Sequence, residues 1–308
     1  EYPINEGDTN VPAMSDMLKE LCKNRKLPDI EFFINRRDFP ILKNNGTEAY
    51  EHIFGDDTPL VSHKYEKYSP ILSMVTTEQF ADIPIPTGDD WKRVSSFENK
   101  FFKGCGIYPK NFNTLWEDKK PIAVFRGAST GCGVDINTNV RLKLAWISAN
   151  TPPHELYGKL IDAGITKWQL RPRKIKNTRV LRTIDVDKMN RNGIQLVNFL
   201  SPQEQSQYKY IIHVDGHVSA FRLSLEMNMG STILLTDSPY KLWFKEFMIP
   251  WVHYVPVKSD LSNLIKQIKW CRENDNKCKE IAQNAKEFYE KYLLKDGIMD
   301  YLQKLIID

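Results

Sequence analysis

Apolar residues at Met14, Met17, Leu18, Leu21 and Cys22 recur at i, i+3, i+4, i+7 and i+8, a spacing that predicts one amphipathic helix within residues 1–26. Leu27-Pro28-Asp29 ends it. A short β-prone run at 30–35 follows and closes on the polar cluster Arg36-Arg37-Asp38, ahead of Phe39-Pro40. From 41 to 118 the pattern is irregular, with a Pro-rich stretch at 83–91, and only a helix near 92–102 is predicted. The pattern sharpens at 119–125, where an apolar strand enters the turn Arg126-Gly127-Ala128-Ser129-Thr130-Gly131-Cys132-Gly133. A second strand, 210–214, enters Asp215-Gly216-His217-Val218-Ser219 and leads to a helical stretch at 220–229. Strands are expected at 232–235 and 252–257. Asp260 reads as the N-cap of a helix with Leu261, Leu264, Ile265 and Ile268 on its apolar face, followed by helices around Ile281, Ala285, Phe288 and Tyr292 and around Ile298, Tyr301, Leu302 and Leu305. Strand alternating with helix predicts an α/β fold with parallel sheets.

Composition narrows the class. A chain of 308 residues suits two domains, expected at 1–118 and 119–308. With 41% hydrophobic and 27% charged residues it is globular, which excludes disordered and collagen-like chains. Forty-three Lys and Arg against 39 Asp and Glu leave +4, too mild to call for a nucleic-acid or membrane partner. Residues 159–191 hold ten Lys or Arg against three Asp, but only Trp168 is interleaved. Lacking an aromatic stacking platform, that stretch reads as a solvated basic face, with nucleic-acid binding as its alternative. Thirty Lys against 13 Arg, and 27 Ile against 11 Ala, look like the codon bias of an A+T-rich genome, so lysine abundance carries little functional meaning.

Cys22, Cys105, Cys132, Cys271 and Cys278 are scattered without CxxC spacing, which points to reduced thiols rather than a disulfide scaffold or a zinc site. No run approaches the roughly 18 apolar residues that cross a bilayer, and the first residues have no basic or apolar secretory pattern. The cytoplasm is the expected compartment. The secretory pathway stays open if a segment precedes Glu1.

Chemistry concentrates in the two turns. The first offers Arg126, Ser129 and Thr130 among Gly127 and Gly131, the donors and positive potential that a diphosphate needs without a metal. The second places Asp215, Gly216, Ser219 and Arg222 after another strand, so that two arginines are able to converge on one anion. An ordinary βα turn and a surface salt bridge are the alternatives. Asp38, ending a β-prone run, is a candidate general base or a turn residue paired with Arg36 or Arg37, with Asp89 and Asp90 beside Trp91 next in line. Asp185-Val186-Asp187 has the DxD form of some metal-dependent glycosyltransferases, a match short enough to arise by chance. His213 and His217 straddle a turn rather than one helix face. Asn45-Gly46-Thr47 is a sequon that matters only in a secreted chain.

These stretches together resemble the protein O-glucosyltransferase family, the Rumi-like and capsule-associated proteins of glycosyltransferase family 90. The resemblance is carried by 124–131, 208–216, Ser219-Ala220-Phe221-Arg222, Met229-Gly230-Ser231, 250–257 and 260–264 in matching order, and covers 120–308 well. In the N-terminal part, Leu27-Pro28-Asp29 and 34–40 are similar to the segment that presents the family's acidic catalytic residue, which falls on Asp38. The resemblance implies a GT-B architecture of two Rossmann-like domains facing a cleft, the C-terminal one holding the donor and the last helix crossing back. It also implies a UDP-sugar donor, glucose or xylose transfer to a protein or glycan hydroxyl with inversion, and no cofactor or metal. Arg141 and Ser231 join Arg126, Gly127, Ser129, Thr130, Gly131, Asp215, Gly216, Ser219 and Arg222 as the donor-binding set. Ala128 stands where the family commonly has Ser, and the chain lacks the many cysteines of animal relatives. Members in large DNA viruses fit both the thiol usage and the Lys/Ile skew. An inactive sugar-nucleotide-binding module is the competing reading.

Overall fold

The structure, a computed structural model, describes residues 10–44, 70–95, 112–174 and 180–308. The chain divides into two units: Glu1–Tyr108 with Pro239–Phe247 and Glu290–Asp308, and Pro109–Ser238 with Met248–Tyr289.

In the first unit, helix α1 (Asn10–Asn24) buries Ala13, Met14, Met17 and Leu21, whereas Leu18 of the expected stripe is only partly buried and Cys22 is exposed. Three short strands, β1 (Phe33–Ile34), β2 (Ile71–Ser73) and β3 (Ile83–Pro84), pair in parallel in that order. The predicted helix near 92–102 starts earlier, as α2 (Gly88–Val94), with 96–102 outside the described residues. A capping box moves its start: Thr87 accepts from the Asp90 amide while Asp90 accepts from the Thr87 amide, so the Pro-rich stretch ends in a helix cap.

The second unit is built on a five-stranded sheet. Its members are β4 (Lys120–Ala128), β5 (Ile161–Lys167), β8 (Tyr208–His213), β9 (Thr232–Thr236) and β10 (Val255–Val257), ordered β10-β9-β8-β4-β5 and all parallel. A two-stranded antiparallel pair, β6 (Arg173–Lys174) and β7 (Leu181–Arg182), stands apart. Both faces of the large sheet are covered, as parallel sheets require. Ala123, Phe125, Tyr210 and Ile212 share one core with residues of the later helices, while Val124 and Ile211 face the other. The helices are α3 (Val140–Asn150), α4 (Val186–Arg191), α5 (Pro202–Gln205), α6 (Leu223–Asn228), α7 (Leu264–Glu273) and α8 (Asp275–Phe288); α9 (Lys295–Ile307) belongs to the first unit. The fold is thus α/β with a parallel sheet in each unit, as the GT-B reading requires.

Three expectations are corrected. Helix α3 and strand β5 are not prefigured in the reading of 134–191, and β5 opens a stretch taken for a solvated basic face although Ile161, Ala163, Gly164 and Ile165 are buried. Asp260 caps a turn instead of a helix: its carboxylate accepts from the Ser262 amide, Leu261 sits at φ 61, and α7 begins only at Leu264. The helix expected at 220–229 is shorter, beginning after Arg222. The sequon at 45–47 and Cys105 lie outside the described residues. Cys22, Cys132, Cys271 and Cys278 are free thiols. Among the described residues no helix is long and apolar enough to cross a membrane.

Candidate functional site

Parallel strands bring their C-terminal ends to one edge, where loop residues rather than strand hydrogen bonds set the chemistry. In the second unit that edge carries the end of β4 with 129–133 and the end of β8 with 214–222. It does not offer helix N-termini, as the sequence suggested. Eleven residues separate β4 from α3, whose start is closed by Asn139, its side chain accepting from the Arg141 and Leu142 amides. Helix α6 has no side-chain cap and only six residues. Positive charge at the edge therefore comes from side chains.

Arg141 is central. Its guanidinium donates to the Val214 carbonyl (3.0 Å), the Asp215 carbonyl (2.9 Å), the Ala128 carbonyl (3.1 Å) and Thr130 Oγ1 (2.7 Å), tying both turns together. These acceptors are all neutral, and among the described residues no carboxylate pairs with it. Burial, and then the neighbouring Arg222, push its pKa down to about 9. Arg222 lies on the same aromatic ring: the two guanidinium carbons stand 5.7 Å and 5.1 Å from the Phe125 centroid. Arg222 donates to the Arg126 carbonyl (2.8 Å) and keeps 30% of its side chain exposed. Gly127 and Gly216 are required by this packing. A Cβ at Gly127 would meet Phe125 Cζ at 2.9 Å and Arg141 Nη1 at 3.3 Å; one at Gly216 would meet Thr130 Oγ1 at 2.8 Å and Arg141 Nη2 at 3.4 Å.

Asp215 organises the second turn by accepting from the Ala220 amide at 2.8 Å and from the Ser238 hydroxyl. Ser219 is half-buried in that loop. Gly131, at φ 131, packs against the Asn139 side chain. Ser129 is buried: its hydroxyl accepts from the Gln169 amide (2.8 Å) and its carbonyl from Arg173 (2.9 Å).

Two residues of the expected set are placed elsewhere. The Arg126 guanidinium turns away into an ion pair with Asp162 (2.9 Å) and into the carbonyls of Asp162 and Phe125, pinning β4 to β5. Burial opposes ionisation of Asp162, but Arg126 and Lys159 outweigh it and hold its pKa below the usual value. Ser231 precedes β9, at the opposite end of the sheet, where it donates to the Tyr208 carbonyl (2.7 Å) and accepts from the buried Lys119 (3.1 Å). Burial there, with Lys286 second, lowers the Lys119 pKa to about 8.

In the first unit Asp38 is exposed in the bend after β1. The bend is shaped from below by a buried polar chain. Asn35 donates to the Phe39 carbonyl (2.6 Å) and to Ser73 Oγ (3.2 Å), Ser73 donates to Asp82 (2.6 Å), and Asp82 accepts from the Ile41 and Leu42 amides. Arg37 lies over the Phe39 ring at 5.5 Å. Of the two reserve candidates, Asp89 pairs with Lys92 (3.3 Å), and Asp90 is buried and committed to its capping box, to Arg93 (2.5 Å) and to Trp243 Nε1 (3.2 Å). Asp185 of the DxD caps α4 by accepting from the Lys188 amide (2.9 Å).

Sequence reading missed Arg173, Phe125 and Glu226. Arg173 donates to the carbonyls of Ser129, Gly133 and Gln169 and so clamps the first turn. Glu226 ties His213 to Arg222. Only the recurrence of Glu four residues after Arg222 signalled the last of these.

Parallel sheets and paired guanidiniums at one strand edge define the class, an α/β protein with a candidate anion site. The chain belongs to glycosyl transferase family 90, whose model matches residues 11–308. It is 51% identical to the uncharacterized protein 179R of Invertebrate iridescent virus 6 over 100% of this chain and 29% of that protein. It is 28% identical to protein O-glucosyltransferase 2 of Danio rerio over 95% of this chain and 49% of that protein. Among solved structures, the HepE protein of Anabaena in complex with UDP-glucose aligns with a TM-score of 0.39 at 13% identity, over 60% of this chain and 48% of that one. The chain thus spans between about a quarter and a half of the length of these curated relatives.

Proposed function

We propose that the chain is the donor-binding and catalytic core of an inverting glycosyltransferase that moves glucose, or alternatively xylose, from a UDP-sugar to a hydroxyl of a protein or glycan. The observation that supports it is Arg141: a buried cation whose hydrogen-bond acceptors among the described residues are all neutral, sharing the Phe125 ring with a second, partly exposed guanidinium. Burying a guanidinium is costly, and Arg222 beside it adds to that cost, while the charges of Asp215 and Glu226 offset it only in part. A diphosphate relieves both costs at once. The O-glucosyltransferase relatives favour glucose as the sugar.

In this reading the bond from the sugar C1 to the β-phosphate oxygen breaks with its electron pair left on that oxygen. The acceptor oxygen bonds to C1 from the opposite face, and its proton passes to Asp38. Charge grows on the departing phosphate, so Arg222, Arg141 and the Thr130 and Ser219 hydroxyls act more strongly in the transition state than on the bound donor. The positive charge of the two arginines takes the place of a DxD-held metal ion. Free thiols suit a reducing compartment, in a viral setting the host cytoplasm.

The test is release of UDP from UDP-glucose. Arg222→Ala should lower turnover by well over threefold, beyond about 0.7 kcal/mol of barrier; turnover within threefold of wild type refutes the assignment. Activity should survive EDTA. Loss on chelation, restored by manganese and abolished in Asp185→Ala, would establish the metal-dependent alternative.

A further inference from the structure

We infer that Glu226 is a positioning residue for transfer: its buried carboxylate, anchored by His213, aims Arg222 at the departing phosphate. This rests on the donor-site reading above and deepens it.

The carboxylate lies on α6, one helical turn after Arg222, and is 1% exposed. Oε2 stands 2.5 Å from His213 Nδ1, at the end of β8, and Oε1 stands 2.8 Å from Arg222 Nε. Burial by itself raises a carboxyl pKa. Here His213 and Arg222 outweigh burial and hold Glu226 below its ordinary value, so it stays an anion. His213 Nε2 in turn lies 3.8 Å from Asp215 Oδ1, which links the pair to the second turn. Arg222 Nε and Glu226 Oε1 are close enough to attract but are not aligned as a hydrogen bond among the described residues. Charge, together with the Arg126 carbonyl, therefore holds the guanidinium, whose remaining donors make no hydrogen bond among the described residues. An ordinary surface i,i+4 pair would contribute little. This one is different because its acidic partner is buried and tied to the strand end.

Removing the negative charge while keeping the shape makes a distinctive prediction. Glu226→Gln leaves the site more positive, so UDP should bind at least as tightly as to wild type by calorimetry. UDP release from UDP-glucose should nevertheless slow at least tenfold, because Arg222 is no longer aimed. In an Arg222→Ala background the same substitution should add less than threefold. Glu226→Asp keeps the charge but withdraws it by one methylene, and should show the same split at smaller size. A variant that folds, by circular dichroism, and loses UDP affinity and turnover in proportion would overturn the inference, as would full additivity of Glu226→Gln with Arg222→Ala. Failure of the wild-type chain to bind UDP would instead remove the donor-site reading, and the inference with it.

Discussion

At the scale of single residues the site depends on close packing around one guanidinium. Gly216→Ala puts a methyl group 2.8 Å from the β-branched Thr130 hydroxyl and 3.4 Å from Arg141, neither of which is free to move without releasing the turn. The expected cost is about 1–3 kcal/mol of stability, with UDP affinity falling at least tenfold, measured by chemical denaturation and calorimetry. The carboxylates predict the response to acid. Asp162 and Glu226 both titrate below their ordinary values of 3.8 and 4.5 in the folded chain, so the unfolded chain binds more protons as pH falls. The stability they supply is complete above those ordinary values and is lost as pH drops through the lowered folded ones. Denaturation midpoints should therefore fall below about pH 4.5, and Asp162→Asn should flatten that slope; an unchanged slope contradicts the assignment.

Elements decide how much of this is legible in the sequence. The strands β4, β8 and β9 and both turns stand out because a buried parallel strand is a dense apolar run closed by Gly and polar residues. Helix α3 does not. Val140, Leu142, Leu144, Ala145, Trp146 and Ile147 put apolar groups all around it, so no face is marked. Strand β5 is masked differently: it passes through Ala163 and Gly164, poor strand formers, because Val197 packs directly where a Gly164 side chain would stand. The residues proposed to hold the donor are legible where they sit in the turns, but the direction of a side chain is not. Arg126 in the turn and Arg141 beyond it are both expected on the donor, and only packing shows the first bound to Asp162 and the second bridging the turns. Asn139 is the cap through which α3 is tied to the first turn. Asn139→Ala should cost about 1–2 kcal/mol and weaken UDP binding as well, because its side-chain oxygen holds the amide of Arg141 itself; a stability loss with unchanged UDP affinity would separate the cap from the site.

For the whole molecule, family membership and the two parallel sheets give each unit a distinct proposed role, with the diphosphate at the strand ends of the second and the base on the first. Asp38 follows β1 on a bend supported by Asn35, Ser73 and Asp82, a framework that survives replacement of an exposed carboxylate. Asp38→Asn should reduce transfer by roughly 10² to 10⁴ while leaving UDP-glucose affinity nearly unchanged; normal transfer moves the role to another group. Hydrogen exchange of the backbone amides, with and without UDP, tests the central claim most directly, because it reports where the diphosphate sits without assuming any chemistry. UDP should protect the amides of 127–133 and 214–222, the two turns that Arg141 joins. Unchanged exchange in both turns, with protection confined to residues 10–44 and 70–95, would contradict it.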